Sequence, residues 1–191
     1  YSTLLLKIPG NEDKAAQFVL MAVDMDSIEA NKVTYLKGMA QALENQKRYK
    51  EAAEWYKKVL NVKRNYTNVD IHNAAYNFYR ANIYDSAAYY YQMYETKYPT
   101  DVFGFYMEGK ALQAKDSTGV LGLAVAPYSK VVELGEAAAD KSKVKNQLSG
   151  AYRFFIEYYF FNGIFRWRKK TLRYYIVLFL FNSYSFNYIN F

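Results

Sequence analysis

Ile71-His72-Asn73-Ala74-Ala75-Tyr76-Asn77-Phe78, followed by Ala87-Ala88-Tyr89-Tyr90-Tyr91 and closed by Pro99, is the stretch whose reading decides the fold. Ile71, Ala74, Ala75 and Phe78 recur at three- and four-residue steps, the period of a helix with one buried stripe. Ala87 and Tyr91 mark a second helix with the same kind of stripe. Pro99, followed by Thr100-Asp101, ends the unit because proline cannot continue a helix. The stretch therefore predicts two antiparallel helices joined by a short turn.

The same unit returns on both sides. Leu36, Met39, Ala40 and Leu43 precede Ala52 and Tyr56; Phe105, Gly109 and Leu112 precede Ala124 and Tyr128. In the later copy Glu108 stands at an apolar step, and the unit is lengthened by three residues near Gly119-Val120-Leu121. Ala15 and Val19, followed by Ala22, read as a second helix whose first helix is mostly absent, and Tyr152, Phe155, Ile156 and Tyr159 begin a further copy. The alanines at 15, 52, 87 and 124 lie 37, 35 and 37 residues apart. A period of about 20–50 residues indicates a solenoid, whose units bury their apolar faces only by stacking. Ala40, Ala75 and Gly109, with Ala52, Ala87 and Ala124, are small where helices must approach closely, since side-chain size sets an interaxial distance of about 8–10 Å.

These motifs resemble the tetratricopeptide repeat, whose pattern runs W-x2-L-G-x2-Y, A-x3-F and P in units of about 34 residues. Leu36-x2-Met39-Ala40-x2-Leu43 with Ala52-x3-Tyr56 is one copy, and Ile71-x2-Ala74-Ala75-x2-Phe78 with Ala87-x3-Tyr91 and Pro99 is another. The resemblance covers roughly residues 12–163 and implies an all-α fold, an α-solenoid of antiparallel helix pairs in a right-handed superhelix. The expected divisions are a partial repeat over 1–30, repeats over about 33–66, 68–101 and 102–135, and a first helix over 148–163. Ankyrin repeats fit poorly because no T-P-L-H-type turn occurs, and HEAT-type repeats need a longer period.

The resemblance also implies a non-enzymatic scaffold whose first helices line a concave groove for a peptide or protein. Carried onto this chain, the groove positions are Lys37, Gln41 and Glu44, then His72, Asn73, Tyr76, Tyr79 and Arg80, then Tyr106, Lys110 and Gln113. The peptide-binding set expected among them is Lys37, Gln41, Asn73, Tyr76, Tyr79, Arg80, Tyr106 and Lys110. Tyrosine and arginine suit such a surface, although half-buried packing fits Tyr76 and Tyr79 as well. Trp55 and Tyr56, on a second helix, read as packing. The family's clamp for acidic C-termini would fall on Lys37, Gln41, Asn73, Phe103 and Met107, where the last two replace required cations. That specific activity is excluded. The alternative is a structural segment of a longer array with no binding of its own.

Charge divides the chain. The net +7 arises largely after residue 163, where Arg166, Arg168, Lys169, Lys170 and Arg173 stand without an acid. Removing those five from 25 cations leaves 20 against 18 acids, so the repeat region carries no nucleic-acid footprint. Residues 164–191 lack Ala, Gly, Asp, Glu, Gln and Pro. Three readings compete for this tail: a frameshifted segment, a membrane-surface segment or an irregular cap over the apolar helix at 152–161, which would otherwise promote self-association. Tyr174–Phe181 is too short to span a bilayer, which needs about 20 residues. There is no cysteine, which excludes disulfides and leaves the compartment, cytoplasmic or periplasmic, open. The start at Tyr1 reads as a mature form or an excised fragment. Asn65-Tyr66-Thr67 matches a glycosylation sequon by its pattern alone. No phosphate loop, catalytic triad or paired catalytic carboxylates can be assembled, and neither His72 nor Asp24-Met25-Asp26 has the neighbours of a metal site. No cofactor is expected.

Overall fold

The structure, a computed structural model, describes Ile8 and residues 10–161; the tail and every reading made of it lie outside the described residues. The helices are α1 Glu12–Met25, α2 Glu29–Asn45, α3 Tyr49–Val62, α4 Asn68–Arg80, α5 Tyr84–Lys97, α6 Val102–Lys115, α7 Val125–Ala137 and α8 Lys145–Phe161, with a 3-10 turn at Lys141–Val144. No strand occurs among the described residues. They divide into two compact units, one ending at Tyr98 and the other beginning at Pro99.

In the first unit each of α1 to α4 packs against the next helix in sequence. Ala15, Ala52 and Ala87 are each the fourth residue of their helix and are wholly buried, as expected of small residues at a close crossing. Val19, Tyr56 and Tyr91, one turn further on, are buried beside them. The stripes Leu36-Met39-Ala40-Leu43 and Ile71-Ala74-Ala75-Phe78 are buried in full. Thr67 begins α4 with a capping box: its hydroxyl accepts from the Asp70 N–H while the Asp70 carboxylate accepts from the Thr67 N–H.

Two turns repeat in detail. Lys47 and Asn82 take left-handed backbone, at φ of 61° and 60°. The N–H groups of Arg48 and Ile83 donate to the carbonyls of Leu43 and Phe78, and those of Lys47 and Asn82 to Glu44 and Tyr79. These paired bonds form a Schellman motif, which satisfies the last carbonyls of the first helix and reverses the chain into the second.

The second unit packs α6 on α7 and α8 on both. Its core is Val102, Ala124, Tyr128, Val131, Ala151, Phe154 and Phe155. The three added residues delay the second helix: Ala124 is buried like its counterparts but stands at the N-cap of α7, not inside the helix. Gly119 and Gly122, at φ of +70° and +64°, turn the loop that precedes it. Glu108 is buried at the apolar step where it looked misplaced. The last helix begins at Lys145, earlier than expected, because Asp140 caps the 3-10 turn by accepting from the Ser142 N–H at 3.0 Å, and that turn runs directly into α8. Nor is α8 bare, since Phe154 and Phe155 are buried and Tyr158 and Tyr159 half-buried, while Phe160 remains 63% exposed. No described helix is long and apolar enough to cross a membrane.

Candidate protein-binding face

His72, Tyr76 and Tyr79 lie at i, i+4 and i+7 on α4, so helix geometry places them on one side. Their rings form a row: His72 and Tyr76 stack at 5.3 Å between centroids, Tyr76 and Tyr79 at 6.3 Å, and Tyr79 meets Tyr84 of α5 at 5.8 Å. Arg80 ends the helix with its guanidinium carbon 4.0 Å from the Tyr49 ring centroid and 5.7 Å from that of Tyr76. It also donates to the Tyr49 hydroxyl. A guanidinium held over rings keeps several N–H donors available while losing much of its rotamer freedom. Four half-buried aromatic side chains and one exposed cation thus stand in fixed order on the first unit.

At the other end of α4, Asp70 is buried and receives three cap and charge partners. Lys37 Nζ lies 2.6 Å from Oδ1, Lys63 Nζ 2.6 Å from Oδ2, and Thr67 supplies both its N–H and its hydroxyl to Oδ2. Burial alone would raise this carboxyl; the hydrogen bonds from Lys37 and Lys63 override it and hold the group well below the usual carboxylate range. Lys37 therefore fastens α2 to α4 as well as standing on the expected face. Gln41 is exposed on α2. Asn73 is half-buried, and its carbonyl accepts from Asn77 Nδ2 at 2.9 Å.

Other residues of the expected groove are half-buried and also make contacts within the fold. His72 Nδ1 lies 3.0 Å from the Tyr91 hydroxyl of α5, and burial lowers the histidine's pKa despite the opposing influence of Glu44. Glu44 accepts from the Tyr56 hydroxyl at 3.0 Å. Trp55 and Tyr56 are buried packing residues, and Met107 is buried in α6. In the second unit the Tyr106 ring seats on α8, where a Cβ added to Gly150 would stand 2.6 Å from it. Lys110 Nζ lies 5.9 Å from the Tyr106 centroid, and Gln113 accepts from the Tyr128 hydroxyl at 2.9 Å. Lys37, Gln41, Asn73, Tyr76, Tyr79 and Arg80 belong to the first unit, Tyr106 and Lys110 to the second. Tyr49 and Tyr84 were not singled out from the sequence, although each follows its left-handed turn residue by two positions and they stand 35 residues apart. The repeat period was the signal that finds them.

Among the described residues no group of three or more His, Cys, Asp or Glu is placed to hold a metal ion. The phased helix pairs define the class: a helical-repeat protein of the α-solenoid kind. No protein-family model matches the chain, and no curated protein matches it. One solved structure, "MamA RS-1 ArsTM double mutant", is similar at 16% identity and a TM-score of 0.48, over 82% of this chain and 95% of that one. The assignment of class is carried by the chain's own pairing of helices.

Proposed function

We propose that the chain is a tetratricopeptide-type, non-enzymatic scaffold that binds a peptide segment of a protein partner along α4. The observation that supports this reading is the ring row His72-Tyr76-Tyr79-Tyr84 with Arg80 at its end, on a first helix whose opposite side is the buried stripe. Preordered aromatic rings give contact area at low entropic cost, and an ordered guanidinium recognises carbonyl or carboxylate oxygens. Gln41, Asn73 and Lys37 extend the polar side of the same face, and Tyr106 and Lys110 are proposed as its counterpart in the second unit.

A second reading, a structural segment of a longer array, is favoured by the exposed Met21, Met25 and Ile28 at the α1 end. Capture experiments with wild type and a Tyr76/Tyr79/Arg80 triple-alanine variant separate the two. Loss of at least one partner by the triple variant, with capture retained by Tyr89→Ala on the exposed side of α5, supports groove binding. Identical partner lists for variants with unchanged melting curves would reject it in favour of the structural segment.

A further inference from the structure

Phe18, Met21 and Met25 stand at i, i+3 and i+7 on α1, so helix geometry puts them on one side, away from the buried Ala15, Val19 and Val23. All three are exposed, Met25 by 84%, and Leu20 and Ile28 extend the apolar surface at its edges. Helix α1 is thus apolar on two faces, and α2 packs against it. The repeat shows what the second face receives. At the 37-residue spacing of Ala15 and Ala52, Phe18 and Ala22 correspond to Trp55 and Val59, which are buried in α3, a helix that packs against both α2 and α4. In α1 the same two positions are exposed and half-buried. The face therefore matches one that takes a helix elsewhere in the unit, and α2, joined to α3 by a three-residue turn, returns antiparallel to it.

The charges beside this face select the occupant. Lys14, one turn before Phe18, and Asp24, next to Met25, are both exposed, and neither has an ion-pair partner among the described residues. They lie ten residues apart, about 15 Å along the helix. A second copy laid antiparallel brings each Lys14 against the partner's Asp24, at both ends of the contact, with the apolar side chains of both copies between them. A parallel copy would set lysine on lysine and aspartate on aspartate. We infer that α1 is a self-association face, on which two copies pair antiparallel about a two-fold axis near residue 19, closed by two Lys14–Asp24 ion pairs. Methionine suits such a face, because its flexible side chain fills an irregular contact. The contact is one helix of 14 residues, so the dimer is weak and forms in proportion to concentration. It uses no residue of the ring row on α4 and so does not depend on the peptide reading.

Sedimentation equilibrium of the full chain, from micromolar to millimolar concentration, tests this. Wild type should show a monomer–dimer equilibrium with a dissociation constant on the order of 100 µM. Met21→Glu with Met25→Glu, both at exposed positions, should keep the wild-type melting curve and remain monomeric throughout. Lys14→Glu alone and Asp24→Lys alone should each weaken association about tenfold, since each sets like charges together at both ends. An equal mixture of those two variants should recover it, because every facing pair is again of opposite sign. Phe160→Glu, at an exposed position of α8, should associate like wild type. The inference is overturned if wild type is a monomer at every concentration, which would leave the face to a helix of another polypeptide or a preceding repeat. It is equally overturned if the methionine variant still dimerises, if mixing the two charge variants restores nothing, or if Phe160→Glu is the change that abolishes association.

Discussion

Asp70 and His72, two residues apart on α4, give the first unit its acid sensitivity through opposite charge states. Asp70 is held ionised by Lys37 and Lys63, so its folded pKa lies below the unfolded value of about 3.9. Its contribution is complete above that value and is lost as pH falls through the folded pKa. His72 is kept neutral by burial, so its folded pKa lies below about 6.5, and acid must charge a group that the fold prefers uncharged. Stability is therefore expected to decline first as pH drops below about 6.5 and again below about 4. Urea midpoints at several pH values check this. Asp70→Asn should flatten the lower stage and cost about 2–3 kcal/mol near neutrality, the low side for a buried pair because both lysines are partly exposed. His72→Gln should flatten the upper stage. The left-handed turn residues provide a second test. A lysine in that conformation costs about 1–2 kcal/mol, offset in part by the entropy a glycine would lose, so Lys47→Gly should raise stability by about 0.5–1 kcal/mol. Asn82→Gly should change it by less than about 0.5 kcal/mol, since asparagine already tolerates the conformation. Equal gains from both substitutions in denaturant melts would contradict this account of the turns.

At the scale of elements, the helix crossings decide what a methyl group does. A Cβ on Gly109 would stand 2.9 Å from the Tyr128 ring, which is buried, bonded to Gln113 and 4.6 Å from the Phe154 centroid. Gly109→Ala should therefore destabilise the second unit by about 1–3 kcal/mol despite alanine's better helix propensity. Gly38 in α2 has nothing within 4 Å of such a Cβ, so Gly38→Ala should stabilise by up to about 1 kcal/mol. Thermal melts of the two variants should move in opposite directions, and a shared sign would undo the crossing argument. The helices and their buried stripes were legible in the sequence because a solenoid repeats its packing, so every anchor is stated several times. What was not legible arises from single contacts between elements. The convergence of Lys37 and Lys63 on Asp70 leaves no periodic trace in the sequence, and neither does the packing of the Tyr106 ring against Gly150. The 3-10 entry to α8 escaped because it depends on the local cap at Asp140 and not on any periodic signal.

At the scale of the whole molecule, the phased alanines recur in both units, where second helices carry buried anchors and first helices present residues beyond their stripe. The division at Tyr98–Pro99 separates the expected binding residues into a larger set on the first unit and Tyr106 with Lys110 on the second. The sequence expressed the array but not the partner, because an aromatic face such as the one along α4 is compatible with many peptides. The central claim is that this face, and not the outer side of the second helices, meets the partner. Site-specific photocrosslinking tests it most directly, with a benzophenone amino acid placed at position 76 or 79 on α4 and, as control, at position 89 on α5. The account predicts that 76 and 79 capture the same partner polypeptide and that 89 does not. Crosslinking from 89, with none from 76 or 79 in a protein that melts like wild type, would contradict it.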